Sequence, residues 1–566
     1  MHSYEIEKRL ATILSLGALS ITLLITDRVS ADPVNIGKLV ATATFSGCCF
    51  IILIQMRAQI ASYFKVPVYL MIGFLSISLV SIILSKNPIE KGFYGTYGRN
   101  TGFLAYLGFV LLFLAGTQIS RNENYLRIFR VLFLAGFINV VYCCIFLTGY
   151  DVFTWQNPYG KVLGTFGNPN FISSFMGIVA TALFTLFISP KFKLKERAIL
   201  LMNLVLSLWV IISSGSQQGL VVAFGGFAIV LLFLIRSLAR QFIVVVLYTA
   251  FVGVSGLLSV LGMLQFGPLT GLLYKQSVSL RGEYWQAGFN MALDNFWFGV
   301  GMDSYGTFYR TYREASAIVL PGINVVSDAA HNIFIDVFAG TGFFGIVCYV
   351  SLIGLIFKES FVFIRKHRDF DPYFVLLFST WCAYQAQSII SINQIGLAIW
   401  GWLLGGLLLG YTKRQNLMVN PKTNIQFAEI FRFKKKEKSK EVSAGIALGT
   451  FLGGLIFLAI SIPAFFADVS LRQAIKLNSQ ENFMKVFRQF PMDSNRINFI
   501  GSRISQEEIN EQVLTLVNEG LNKFPYDYGL LFSKFQVSEP NSEEWKEIGK
   551  RLHDADPLNP AYFEFK

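Results

Sequence analysis

The stretch "LVVAFGGFAIVLLFLI" (residues 220–235) decides the fold, because it is apolar on every face of a helix and carries no charge. A helix in a soluble core keeps a polar side, whereas one that is apolar all round belongs in hydrocarbon. Runs of comparable length recur along the first 466 of 566 residues, and hydrophobic residues make up 53% of the chain. The mean hydropathy is +0.52. Hydrocarbon offers the backbone no hydrogen-bond partner, so such runs cross it as helices. The sequence therefore predicts an all-α, polytopic transmembrane bundle of about 13 spans, near 10–26, 36–56, 67–84, 103–119, 128–147, 171–189, 198–213, 220–235, 241–263, 332–357, 374–391, 394–411 and 443–466.

Charge orients the bundle. A cytoplasmic N-terminus puts "RNENYLRIFR" (121–130), "PKFKLKER" (190–197) and "FRFKKKEKSK" (431–440) on the inside; inside segments hold 26 of the 48 Lys and Arg, outside segments of the membrane domain 10. That bias follows the positive-inside rule. The net charge of +13 is thus mostly topology, and no nucleic-acid partner is expected, since the tail after 466 has 12 basic and 15 acidic residues. "VSA" (29–31) has the small-residue look of a cleavage site, but the first span reads better as a retained anchor. All six cysteines fall in predicted spans with no metal-like spacing, so they read as small core residues, and neither metal nor cofactor is expected.

The outside ends carry the unusual sequence. Helices running inward from that face follow "GTYGRNTG" (95–102), "GTFGNPN" (164–170), "SSGSQQG" (213–219) and "SDAAHN" (327–332). Each can be helix capping alone, with Asn168 before Pro169, or Asp328 as the cap of the tenth helix. Together they place several positive helix ends on one face, which would make an anion site if they converge. Asn168, Asn170, Gln217 and Asn332 are its candidate ligand contacts.

The large outside loop, 264–330, contains "LRGEYWQAGFNMALDNFWFGVGMDSYGTFYRTYR" (280–313), where Trp285, Phe289, Leu293 and Phe296 recur at helical spacing. This piece is expected to lie along the interface, its aromatics in the headgroup layer among membrane lipids. Arg281, one turn before Trp285, is either a headgroup contact or a guanidinium that forks onto a phosphate. Of four histidines only His331 sits at the outer face, as a polar cap or as a proton acceptor. "DFD" (369–371) reads as solvated charge, and the Gly pairs at 225, 405 and 453 as close helix packing.

Beyond 466 the composition turns soluble, and Pro491, Pro525 and Pro557 recur at 34 and 32 residues, the helix-pair period of tetratricopeptide-like repeats. The expected organisation is a membrane domain over 1–442, a last span over 443–466 and a small extracytoplasmic helical domain over 467–566, placed to contact a protein partner or an acceptor.

The order "GRNTG", "GTFGNPN", "SGSQQG", "LRGEYW…FGVG" and "HNIFID…GTGFFG", over roughly residues 90–411, resembles the O-antigen ligase and polymerase superfamily. The resemblance implies a GT-C-like membrane glycosyltransferase in the plasma (inner) membrane. It would move a glycan from a polyprenyl-diphosphate carrier to a glycan, lipid or protein acceptor outside the cytoplasm. Arg281 would match the arginine that holds the carrier diphosphate, His331 the histidine essential for transfer, and Arg99 an arginine that opens an early span. One position departs: where the resemblance implies arginine after serine, this chain has Gln217. Ligase, polymerase and protein O-oligosaccharyltransferase are not separated at this level, with ligase preferred for the repeat-like tail. A transporter or flippase would place ionisable groups and broken helices near mid-membrane, which these spans do not suggest.

Overall fold

The structure, a computed structural model, describes residues 2–189, 192–274, 276–417, 444–477, 480–504 and 511–565, so the basic run at 431–440 lies outside the described residues. The described residues form helices and no strand. In chain order they are α1 (His2–Leu23), α2 (Asn35–Gln55), α3 (Arg57–Tyr63), α4 (Lys65–Leu84), α5 (Ile89–Tyr94), α6 (Phe103–Thr117), α7 (Asn122–Leu147), α8 (Pro169–Ile188), α9 (Leu194–Ser213) and α10 (Gln217–Leu238). Then follow α11 (Phe242–Met263), the short α12 (Thr270–Leu273), α13 (Gln276–Asp294), α14 (Tyr305–Tyr312), α15 (Ala315–Ala317), α16 (Ile333–Lys366), α17 (Pro372–Ile390), α18 (Ile395–Leu417) and α19 (Ala444–Leu477). The C-terminal helices are α20 (Gln480–Phe487), α21 (Ser494–Ile504), α22 (Glu511–Lys523), α23 (Tyr528–Val537) and α24 (Glu543–Ala555).

Each expected span falls on a helix, and ten of these helices are long and apolar enough to cross a membrane. The three others have local reasons to differ. α6 has only 15 residues and is buried along almost its whole length. α1 opens with charge, and its Glu7 accepts from Ser120 N, Arg121 N and Asn124 Nδ2 at the entry of α7. α17 carries Ser379, Thr380, Gln387 and Ser388, all buried inside the bundle.

α18 forms the centre and is buried along its membrane-length window. α19 packs on α2 through backbone contact: a Cβ on Gly47 would lie 2.5 Å from the Gly453 carbonyl oxygen, and one on Gly453 would lie 2.6 Å from that of Gly47. The Gly pair at 453 is therefore a packing device, as its sequence implies. α11 is the opposite case, with Gly262 its one buried residue.

α16 is broken near its start, at Gly342 (φ +67). The break frees carbonyls, and "FGVG" satisfies them: Val300 N donates to Ala339 O at 2.8 Å and Gly301 N to Gly340 O at 3.1 Å. Freed backbone is tolerated at membrane depth only where protein covers it. The expectation of unbroken spans fails here, though the break belongs to the loop end of the bundle.

The composition change at 466 is not a structural boundary, because α19 continues to Leu477. Leu471 and Ala474 of that extension join the apolar core of α20–α24. The three prolines fall in links after α20, α22 and α24. The C-terminal helices are clasped onto α14: Asp556, fully buried, accepts from Arg310 Nη1 at 3.0 Å and Arg313 Nη2 at 2.7 Å. "DFD" also differs from expectation, since Asp371 accepts from Tyr373 N and Phe374 N as the cap of α17 and from Tyr411 OH at 2.6 Å.

Candidate active site

Two helix starts, of α8 and α10, and the residue before the cap of α16 border one cavity. Asn168 caps α8, its Oδ1 accepting from Asn170 N at 2.9 Å, and Pro169 fills the first helical position. Ser216 caps α10, and its Oγ donates to Asn170 Oδ1 at 2.7 Å, which ties the two starts together. α16 is capped by Asn332, whose Oδ1 accepts from Phe334 N and Ile335 N. Asp328 does not cap it, and His331 is relieved of that role as well.

His331 stands just outside α16 in the left-handed region, φ +54. A non-glycine residue there costs free energy and is held by its surroundings. Asp336, one turn into the helix, accepts from Ala330 N at 2.7 Å and pins the turn. The imidazole stacks on Tyr284, with centroids 5.5 Å apart at 30°. Tyr284 is fixed in turn, since its carbonyl accepts from Tyr305 OH at 2.6 Å.

The cavity these groups enclose is about 440 Å³, lined by Asn170, Gln217, Arg281, Tyr284, His331 and Lys161 among others, with no carboxylate in its wall among the described residues. Arg281 rises from α13, whose other face packs through Ala287 and Met291 into a small core with Ile335 of α16. Its side chain is 9% exposed. Among the described residues it has no ion pair or side-chain hydrogen bond, and burial pushes its pKa below the usual arginine value. A buried cation without a counter-charge is costly unless an anion supplies one. Burial first, then the fields of Arg281 and Arg99, hold His331 at about 4, below the usual 6.5. At neutral pH the imidazole is uncharged and free to accept a proton.

Arg281, His331, Gln217 and Asn170 thus come together. Asn168 and Asn332 serve as caps outside the cavity wall. Arg99 also stands off it, Nη2 lying 3.4 Å from Asp303 Oδ1 and Nη1 donating to the Asp328 carbonyl. It acts on His331 through charge and by bracing its loop. Asp303, which also accepts from Thr96 N and Thr101 N, holds the "GTYGRNTG" turn. Of the interfacial stripe, Phe289 and Leu293 are exposed, while Phe296 stacks on Phe343 at 5.1 Å. A larger cavity, about 580 Å³, lies between α14 and the C-terminal helices, and no candidate site residue borders it.

Sequence reasoning missed Lys161, Tyr284 and Asp336. Asp336 had a readable signal, being a carboxylate in an otherwise apolar span. Asp336→Ala is expected to lower transfer by about 10- to 100-fold through a misplaced His331, with Asp336→Asn, which keeps Oδ1, largely spared. Equal loss in both variants, measured as turnover, would remove the positioning role.

Residues 202–350 match the family model described as O-antigen ligase. No curated protein matches the chain. The matched segment includes Gln217, Arg281, His331 and Asp336, whereas Arg99, Lys161 and Asn170 precede it. Residues 202–350 thus carry a segment similar to the O-antigen ligase family.

Proposed function

We propose that the chain is a ligase-type glycosyltransferase moving a glycan from a polyprenyl-diphosphate carrier to an acceptor hydroxyl, with its site on the extracytoplasmic side of the plasma membrane. One observation carries this reading: Arg281, buried without a partner among the described residues, shares a carboxylate-free cavity with a neutral His331. The acceptor oxygen attacks the anomeric carbon, the bond to the diphosphate breaks, and its electron pair leaves with the diphosphate. The hydroxyl proton passes to His331. Charge developing on the leaving group is met by Arg281 and the starts of α8 and α10, set before the reaction in a site of low dielectric. The C-terminal helices would form the extracytoplasmic domain that meets an acceptor or a protein partner, in the repeat-like arrangement their prolines imply.

Arg281→Ala is expected to weaken the apparent affinity for a lipid-linked donor by about 10- to 100-fold, the range of one charge-assisted hydrogen bond or a bidentate pair. The measurement is glycan transfer by purified protein with product sizing. Unchanged donor dependence would overturn the site, and a ladder of products in place of one step would favour polymerisation.

A further inference from the structure

The cavity around Arg281 has a second cation in its wall, Lys161. Local chemistry places it there. In the α7–α8 connection Asn157 Oδ1 accepts from Tyr159 N at 3.1 Å while its Nδ2 donates to the Lys161 carbonyl at 2.9 Å. Val162, the next residue, is fully buried and anchors the exit of this turn. Tyr159 OH is held by Asn168 Nδ2 at 3.1 Å, so the turn is tied to the cap of α8. The Lys161 stem then lies over the turn that opens α10: a Cβ on Gly215 would meet Lys161 Cε at 3.6 Å. That turn leads into Gln217, whose amide brings no charge to the helix start.

Resting on the donor reading above, we infer that Lys161 is the second cation of the donor site, and that Arg281 and Lys161 together select a diphosphate over a monophosphate. A diphosphate spreads its charge over two phosphorus centres. The planar guanidinium forks onto the oxygens of one, and a compact ammonium on a flexible stem meets the other as a point charge. Arg281 alone would engage a single phosphate and tell the two ligands apart poorly. Because Lys161 and Gln217 border the same turn, Lys161 brings a positive charge to a helix start whose own residue 217 is a neutral amide, from a different element, the loop before α8.

The test uses the full chain in lipid nanodiscs, titrated separately with undecaprenyl diphosphate and undecaprenyl phosphate. Lys161→Ala is expected to weaken the diphosphate by about tenfold, as for one charge-assisted contact, and to leave the monophosphate nearly unchanged, which erases the preference. Lys161→Arg, and Lys161→Ala combined with Gln217→Arg, are expected to retain it. Lys161 is exposed, so an unchanged unfolding midpoint identifies each variant as folded. Undiminished diphosphate binding by Lys161→Ala, or equal loss of both probes, overturns the inference. The donor reading survives that result if Arg281→Ala still weakens the diphosphate, and falls with it if neither variant does.

Discussion

His331→Ala is expected to lower glycan transfer by about 10²- to 10⁴-fold, the usual worth of a positioned proton acceptor, with donor binding little changed. A second variant separates chemistry from backbone strain. At φ +54 alanine is disfavoured, whereas asparagine tolerates the left-handed region, so His331→Asn keeps the turn and loses the base. Similar loss in both assigns the effect to the imidazole; recovery of transfer in His331→Asn would sink the assignment. The pH profile adds a sign. The imidazole is held near 4 in the free protein, so kcat/KM stays level as pH falls through 6.5 and declines only toward 4. A diphosphate bound beside Arg281 offsets part of the positive field, so the acid limb of kcat, which reports the occupied enzyme, lies at higher pH than that of kcat/KM. The same depression means that protonating His331 costs the folded state. Its contribution to stability is present above about 6.5 and fades as pH drops toward 4.

Asp556→Ala is expected to loosen the C-terminal helices from α14. Removing this carboxylate strands Arg310 and Arg313, whose side chains are 10% and 0% exposed, and breaking such a buried pair costs about 3–5 kcal/mol. Both arginines keep a bond to the Ile323 carbonyl, so α14 itself persists. The expected result is a lower first unfolding transition and proteolytic cleavage at the links around Pro525 and Pro557, with the membrane helices intact. Replacing all three residues together by apolar ones of similar size is expected to recover most of the loss, since no buried charge then lacks a partner. An unmoved transition in Asp556→Ala would show that the clasp holds nothing.

What was legible in the sequence is what depends on composition within one segment. All-round apolar runs mark helices because hydrocarbon leaves the backbone no other choice, and "GTFGNPN" and "SSGSQQG" mark helix starts because Asn168 and Ser216 cap locally. Contacts between distant segments were not legible. Nothing in "GTYGRNTG" announces that Asp303, some 200 positions on, will hold Arg99 away from the cavity. The exchange of the α16 cap from Asp328 to Asn332 turns on a single left-handed residue, His331, which spacing cannot predict. The break at Gly342 hides inside an apolar run because its cause lies in the carbonyl partners that "FGVG" brings from the loop. Lys161 was unreadable for the same reason, as its importance comes from Gly215 beneath it.

The scarcity of protein contact along α11 has a consequence for the bilayer. Its 22 residues span about 33 Å at 1.5 Å per residue, close to the thickness of the hydrocarbon. A helix with one buried residue has little packing to hold its tilt against hydrophobic mismatch. Met263, its last residue, forms part of the cavity wall beside Val278 and Leu280. A change in the tilt of α11 would move Met263, so acyl-chain length in the surrounding lipid is expected to bear on that side of the cavity.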